Sequence, residues 1–101
     1  MYAIRICFLS LGLIFATSAA HAANPCETLL CMAGKLEGQS GGSACSQPIS
    51  DYFSIIGYGK HWRFSPSITA IERLNFLNSC ASPGVGNWPT QINAVYGAML
   101  L

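Results

Sequence analysis

Two kinds of hydrophobic pattern run along this chain. Residues 6–16 (ICFLSLGLIFA) form an apolar run without a charge, whereas beyond residue 24 apolar positions recur at helical spacing between polar ones. Leu29, Met32, Ala33 and Leu36 fall at i, i+3, i+4 and i+7, as one buried face of a helix requires. Ile49, Tyr52, Phe53 and Ile56 repeat that spacing, Ile68, Ile71, Leu74 and Leu77 form a third stripe, and Ile92, Val95, Tyr96 and Met99 a fourth. No period-two alternation marks a strand. The pattern predicts an all-α domain, a small bundle of three to four short helices.

Prolines and capping residues place the helix starts. Asn24 precedes Pro25, with Glu27 three positions on, so the first helix opens on a capping box with proline at its first position. Gly34 and Gly38 mark its fraying end, and residues 38–43 (GQSGGS) read as a flexible polar loop. The second helix is expected near Pro48, capped by Ser46 or Gln47, with Asp51 in its first turn and Gly57-Tyr58-Gly59 ending it. Residues 58–64 (YGKHWRF) are aromatic and basic and read as a loop or short turn. Ser65 caps the third helix, Pro66 opens it and Cys80 lies at its end. Residues 81–86 form a turn before a fourth helix near Pro89.

The apolar run changes the compartment. Arg5 before it and Ala20-His21-Ala22 after it complete a secretory signal peptide over residues 1–22, cleaved after Ala22. The working domain is then residues 23–101. The run is shorter than the roughly 20 residues of a membrane span, and no second candidate follows, so no transmembrane segment is expected after cleavage. Of five basic residues one, Arg5, belongs to the leader. The domain keeps Lys35, Lys60, Arg63 and Arg73 against Glu27, Glu37, Asp51 and Glu72, and is neutral. Direct nucleic-acid binding driven by phosphate neutralisation is therefore not expected. A surface this poor in charge tends to stick to other proteins.

Export also changes the meaning of Cys26, Cys31, Cys45 and Cys80. An even number of cysteines in a small exported domain reads as two disulfides. None of the spacings is a Cys-x-x-Cys knuckle, so neither a metal site, a redox centre nor another cofactor is expected. Cys26 and Cys31 share a helix on different faces, which disfavours their pairing. Two connectivities stay open, and Cys31–Cys45 with Cys26–Cys80 is preferred.

Candidate chemistry is sparse. His61, the domain's histidine, could act as an acid or base with Glu72 or Asp51, and Glu37 with Asp51, or Asp51 with Glu72, could form a glycosidase carboxylate pair. No nucleophile elbow, zinc-protease pair or phosphate loop accompanies them. Glu27 and Asp51 already have roles near helix N-termini. No catalytic residue is assigned. The most distinctive cluster is Lys60, His61, Trp62, Arg63 and Phe64, a candidate interface because aromatic and arginine side chains dominate binding hot spots. The competing reading has Trp62 and Phe64 plugging the core between the second and third helices, and the same choice applies to Trp88.

The blocks Asn24-Pro-Cys-Glu-Thr-Leu-Leu-Cys-Met-Ala-Gly-Lys35 and Cys45-Ser-Gln-Pro-Ile-Ser-Asp-Tyr-Phe-Ser-Ile55 resemble the TrbM/KikA/MpfK family of conjugal-transfer proteins. The resemblance runs from Asn24 to about Cys80, making residues 23–101 a TrbM/KikA-like helical domain. It implies a plasmid-encoded exported component of the mating-pair-formation apparatus, a type IV secretion system. Such a component would act in the periplasm through contacts with other exported conjugation or secretion-system proteins. The KikA branch is associated with killing of some recipient hosts, so a host-killing effector is one alternative. A small periplasmic cell-wall hydrolase is another. The family supplies no catalytic residues to carry over.

Overall fold

The structure is a computed structural model that describes residues 22–100. The expected signal peptide lies outside these residues, Ala22 apart. Four α-helices follow in order: α1 (Pro25–Leu36), α2 (Ser46–Phe53), α3 (Pro66–Asn78) and α4 (Trp88–Tyr96). Short 3₁₀ turns, Ser43–Cys45 and Lys60–Trp62, precede α2 and α3. The expected all-α fold is therefore present. Its one β-type feature among the described residues is an isolated bridge between Tyr58 and Phe64.

Two helix starts follow the capping reading. Asn24 Oδ1 accepts from the Cys26 and Glu27 amides at 2.9 and 3.2 Å, satisfying donors that have no partner inside the helix. Ser65 Oγ accepts from the Ile68 amide at 3.2 Å. The second helix departs from expectation. It begins at Ser46, so Ser46 and Gln47 lie inside it and neither caps it. Pro48 occupies its third position, where a missing N–H costs no intrahelical bond. Asp51 stands past the first turn, its carboxylate accepting from Gln47 Nε2 at 2.9 Å. The helix also stops at Phe53, before Ile56, and there Ser54 Oγ donates to the Asp51 carbonyl and Arg73 to the Phe53 carbonyl.

Helix α1 packs against α2, α3 and α4, and α3 also packs on α4. Leu29, Met32, Tyr52, Phe53, Leu77, Cys80 and Ile92 form the core. Thr28 is buried too, and its hydroxyl donates to the Pro48 carbonyl at 3.1 Å, joining α1 to α2. The bonds are Cys26–Cys80 and Cys31–Cys45, the preferred pairing. They close separations of 54 and 14 residues. In the chain-entropy account these contribute about 4 and about 3 kcal/mol. A core of this size benefits from such staples.

The third helix corrects the periodicity reading. Its buried positions are Thr69, Arg73 and Leu77, spaced i, i+4 and i+8. Of the expected stripe only Leu77 is buried. Ile68 is exposed, Leu74 half-buried and Ile71 59% exposed. Arg73 is 0% exposed, and its guanidinium takes over the inward face. Nε donates to the Ile55 carbonyl at 3.0 Å and Nη2 to Phe53 at 3.2 Å. Nη1 donates to Met99, Tyr96 and Gly97 carbonyls at 2.7, 2.9 and 3.3 Å. These acceptors cluster at and just past the ends of α2 and α4, where helices leave carbonyls unpaired and the macrodipole is negative. The rings of Tyr52 and Phe53, each 5.2 Å from the guanidinium carbon, add cation–π contact. A cation without a carboxylate partner in this network is thus held by helix ends and ring faces.

Around Arg73 the polar network continues. Tyr52 Oη donates to Asn93 Oδ1 at 2.8 Å, and Asn93 Nδ2 donates to the Ala70 carbonyl at 2.8 Å, so α2, α4 and α3 are linked in turn. Burial pushes the Tyr52 phenol up to about 12, with Arg73 pulling the other way. Burial lowers the Arg73 pKa, with Tyr52 opposing.

Candidate functional site

The segment between α2 and α3 is built to project. Thr69 Oγ1, buried on α3, accepts from the Gly57 amide at 2.8 Å and reaches back to the Gly57 carbonyl at 3.3 Å. The Ser65 amide donates to that same carbonyl at 2.8 Å. Gly57 is needed because a side chain there would meet the Thr69 amide nitrogen at 2.7 Å and the Ile68 carbonyl carbon at 2.8 Å. From this base the chain turns back on itself. Gly59 N–H donates to the Arg63 carbonyl at 2.8 Å, and Arg63 N–H to Lys60 at 3.2 Å.

The tip carries backbone strain. His61 and Trp62 have φ of 58° and 59°, the left-handed region that residues other than glycine rarely occupy. Each such residue costs on the order of 1–3 kcal/mol and persists because its surroundings hold it. The result is a knuckle with Trp62 at 84% exposure. Tyr58 is half-exposed, and its ring meets Trp62 edge-on with centroids 6.2 Å apart. Lys60, His61 and Arg63 are exposed, and Phe64 is half-buried at the return. Trp62 therefore does not plug the core between the second and third helices, whereas Phe64 is partly withdrawn. The backbone brings Lys60, His61, Trp62, Arg63 and Phe64 together in one short turn.

The groups considered for catalysis are distributed differently. His61 is on the knuckle, Glu72 is exposed on α3, Asp51 is on α2 and Glu37 caps the C-terminal end of α1. Among the described residues no three of His, Cys, Asp and Glu gather as a metal-binding group. All four cysteines of the domain are in disulfides.

One feature escaped the sequence reading. Beside the Cys26–Cys80 bond, between α1 and the segment leading into α4, lies a cleft of about 400 Å³. Leu30, Ala33, Glu37, Pro83, Val85 and Trp88 are among the residues that line it. Leu30 is 74% exposed on the wall, and Trp88 is half-buried, packed against the core as well as facing the cleft. The available signal was Leu30, an apolar residue off the buried stripe of α1. The opposite wall, Pro83, Val85 and Trp88, lies more than fifty positions away, so spacing alone could not assemble the site.

No helix among the described residues is long and apolar enough to cross a membrane. The two disulfides belong with an oxidising compartment. Comparison with known protein families, curated proteins and solved structures yields no match.

Proposed function

We propose that this chain is an exported accessory component of a plasmid-conjugation apparatus, of the mating-pair-formation and type IV secretion kind. It acts in the periplasm, after cleavage behind Ala22, by protein–protein contact and not by catalysis. Its partners are other exported components of the transfer machine. The TrbM/KikA-like blocks around Cys26, Cys31 and Cys45 support the assignment, and the disulfides fit the compartment. Equal numbers of acidic and basic residues in the domain argue against direct contact with DNA.

The observation that carries contact as the mode of action is the knuckle. A tryptophan at 84% exposure, displayed by two consecutive left-handed residues, adds nothing to the core and costs backbone strain. Aromatic and arginine side chains so displayed are the usual anchors of protein interfaces.

The test is mating frequency. Removing residues 23–101 while leaving the rest of the transfer region intact lowers transfer, and supplying the wild-type protein in trans restores it. The Trp62→Ala protein, exported to the same level, restores it about tenfold less well, as expected for loss of a hot-spot residue. Unchanged transfer on deletion sinks the assignment. Full rescue by Trp62→Ala removes the knuckle from it.

A further inference from the structure

We propose that the cleft beside Cys26–Cys80 receives the Trp62 knuckle of a second copy of this chain. The inference does not rest on the transfer role. It rests on a projection and a recess on the same molecule that match in size and charge.

The recess, about 400 Å³, is within the range that encloses an aromatic group, and its walls are apolar. The projection offers a tryptophan flanked by Lys60 and Arg63, with no acidic residue between Tyr58 and Phe64. Glu37, among the residues lining the recess, supplies the opposite charge. A neutral, charge-poor domain also raises little repulsion between copies.

The two features cannot meet within one molecule. The knuckle immediately precedes α3, and Cys80 and Ser82, at the recess, follow it. A helix of 13 residues holds them about 20 Å apart. The contact is therefore head-to-tail. Each copy that donates a knuckle keeps a free recess, so association runs past the dimer unless a ring closes. One knuckle buries less than a standard interface, so the association is weak and depends on concentration.

Sedimentation velocity of the exported, oxidised protein over rising concentration tests this. The mean mass should rise above that of a monomer, past the dimer unless two copies close on each other. Trp62→Ala, which keeps its recess, and Leu30→Asp, which keeps its knuckle, should each stay monomeric. Both substitutions are at exposed side chains, and far-UV circular dichroism checks that both proteins fold. Mixed one to one, they should form a species that stops at the dimer. Glu37→Lys provides a second recess variant, weakening association by about threefold, with Arg63→Glu on the other copy restoring it. Wild-type protein that is monomeric throughout overturns the proposal, as does a wild-type assembly that persists in both Trp62→Ala and Leu30→Asp. A mixture that stays monomeric also overturns it. So does a tryptophan fluorescence shift on phosphatidylglycerol vesicles that Trp62→Ala abolishes while the protein stays monomeric, which would assign the knuckle to a membrane surface.

Discussion

Replacing Arg73 by methionine isolates the guanidinium, because methionine keeps most of the apolar stem and removes every donor. Five carbonyls lose their partner. Those of Ile55, Tyr96 and Met99 are in partly buried bonds, and water can replace the arginine there. Those of Phe53 and Gly97 are in buried bonds and stay unsatisfied. An unpaired buried group costs about 1–3 kcal/mol, so the two together cost about 4. Against this, methionine needs no desolvation of a charge, a saving that in some proteins makes a buried ion dispensable. The acceptors at two helix ends and the flanking rings already compensate that desolvation in the folded state, so we expect a net loss of about 3 kcal/mol. Such a loss is a large share of the roughly 5–15 kcal/mol that holds a domain together. Urea unfolding with the disulfides intact, followed at 222 nm, should show a lower midpoint and an unchanged slope. Arg73→Lys, with three donors on one nitrogen, should fall between the two. An Arg73→Met protein within 1 kcal/mol of wild type, or more stable, would refute the view that this cation organises the helix ends.

Two further outcomes follow from the strain at the knuckle and from the buried phenol. Trp62→Gly should leave stability unchanged or raise it by up to about 1 kcal/mol in the same urea assay, since glycine accepts the left-handed backbone freely. A loss above 1 kcal/mol would give Trp62 a structural role. Tyr52 has a folded pKa of about 12 against an ordinary 10.0, so its neutral form is favoured by the fold. Its contribution is complete below pH 10 and is lost as pH rises toward 12, about 2–3 kcal/mol in all. Unfolding midpoints at pH 9 and 11.5 should fall further apart in wild type than in Tyr52→Phe, and equal falls would contradict the burial argument.

Helix starts were the most legible part of this fold. Asn24 and Ser65 announce themselves because a short polar side chain before proline has few better uses than to bond the first amides. Helix geometry spoke only against Cys26–Cys31 and left two connectivities open, and of these the preferred one is the one formed. The inward face of α3 was illegible for a specific reason. Periodicity counts apolar residues, and two of the three buried positions there are Thr69 and Arg73. Their i, i+4 relation to Leu77 was a usable signal, strengthened by how few charges the chain carries. At the knuckle, residue types flagged the cluster, but neither His61 nor Trp62 foretells a left-handed backbone, which accompanies the turn that the Gly59–Arg63 and Arg63–Lys60 bonds close. The premature end of α2 was equally illegible. The Phe53 carbonyl at its end and the Ile55 carbonyl beyond it answer to an arginine eighteen or more positions away, and local propensity does not register that.

The pairing of the cysteines is nested, the short loop lying within the long one. A chain that emerges amino terminus first presents Cys26 and Cys31 before any other cysteine of the domain. Oxidation in order of arrival would join these two, and α1 holds them on different faces. Cys31 can close on Cys45 soon after, but Cys26 must wait until nearly the whole domain is out. Through that interval it is a lone thiol near two tempting wrong partners. A catalyst that reshuffles premature Cys26–Cys31 or Cys26–Cys45 bonds should therefore speed oxidative folding more than an oxidant alone.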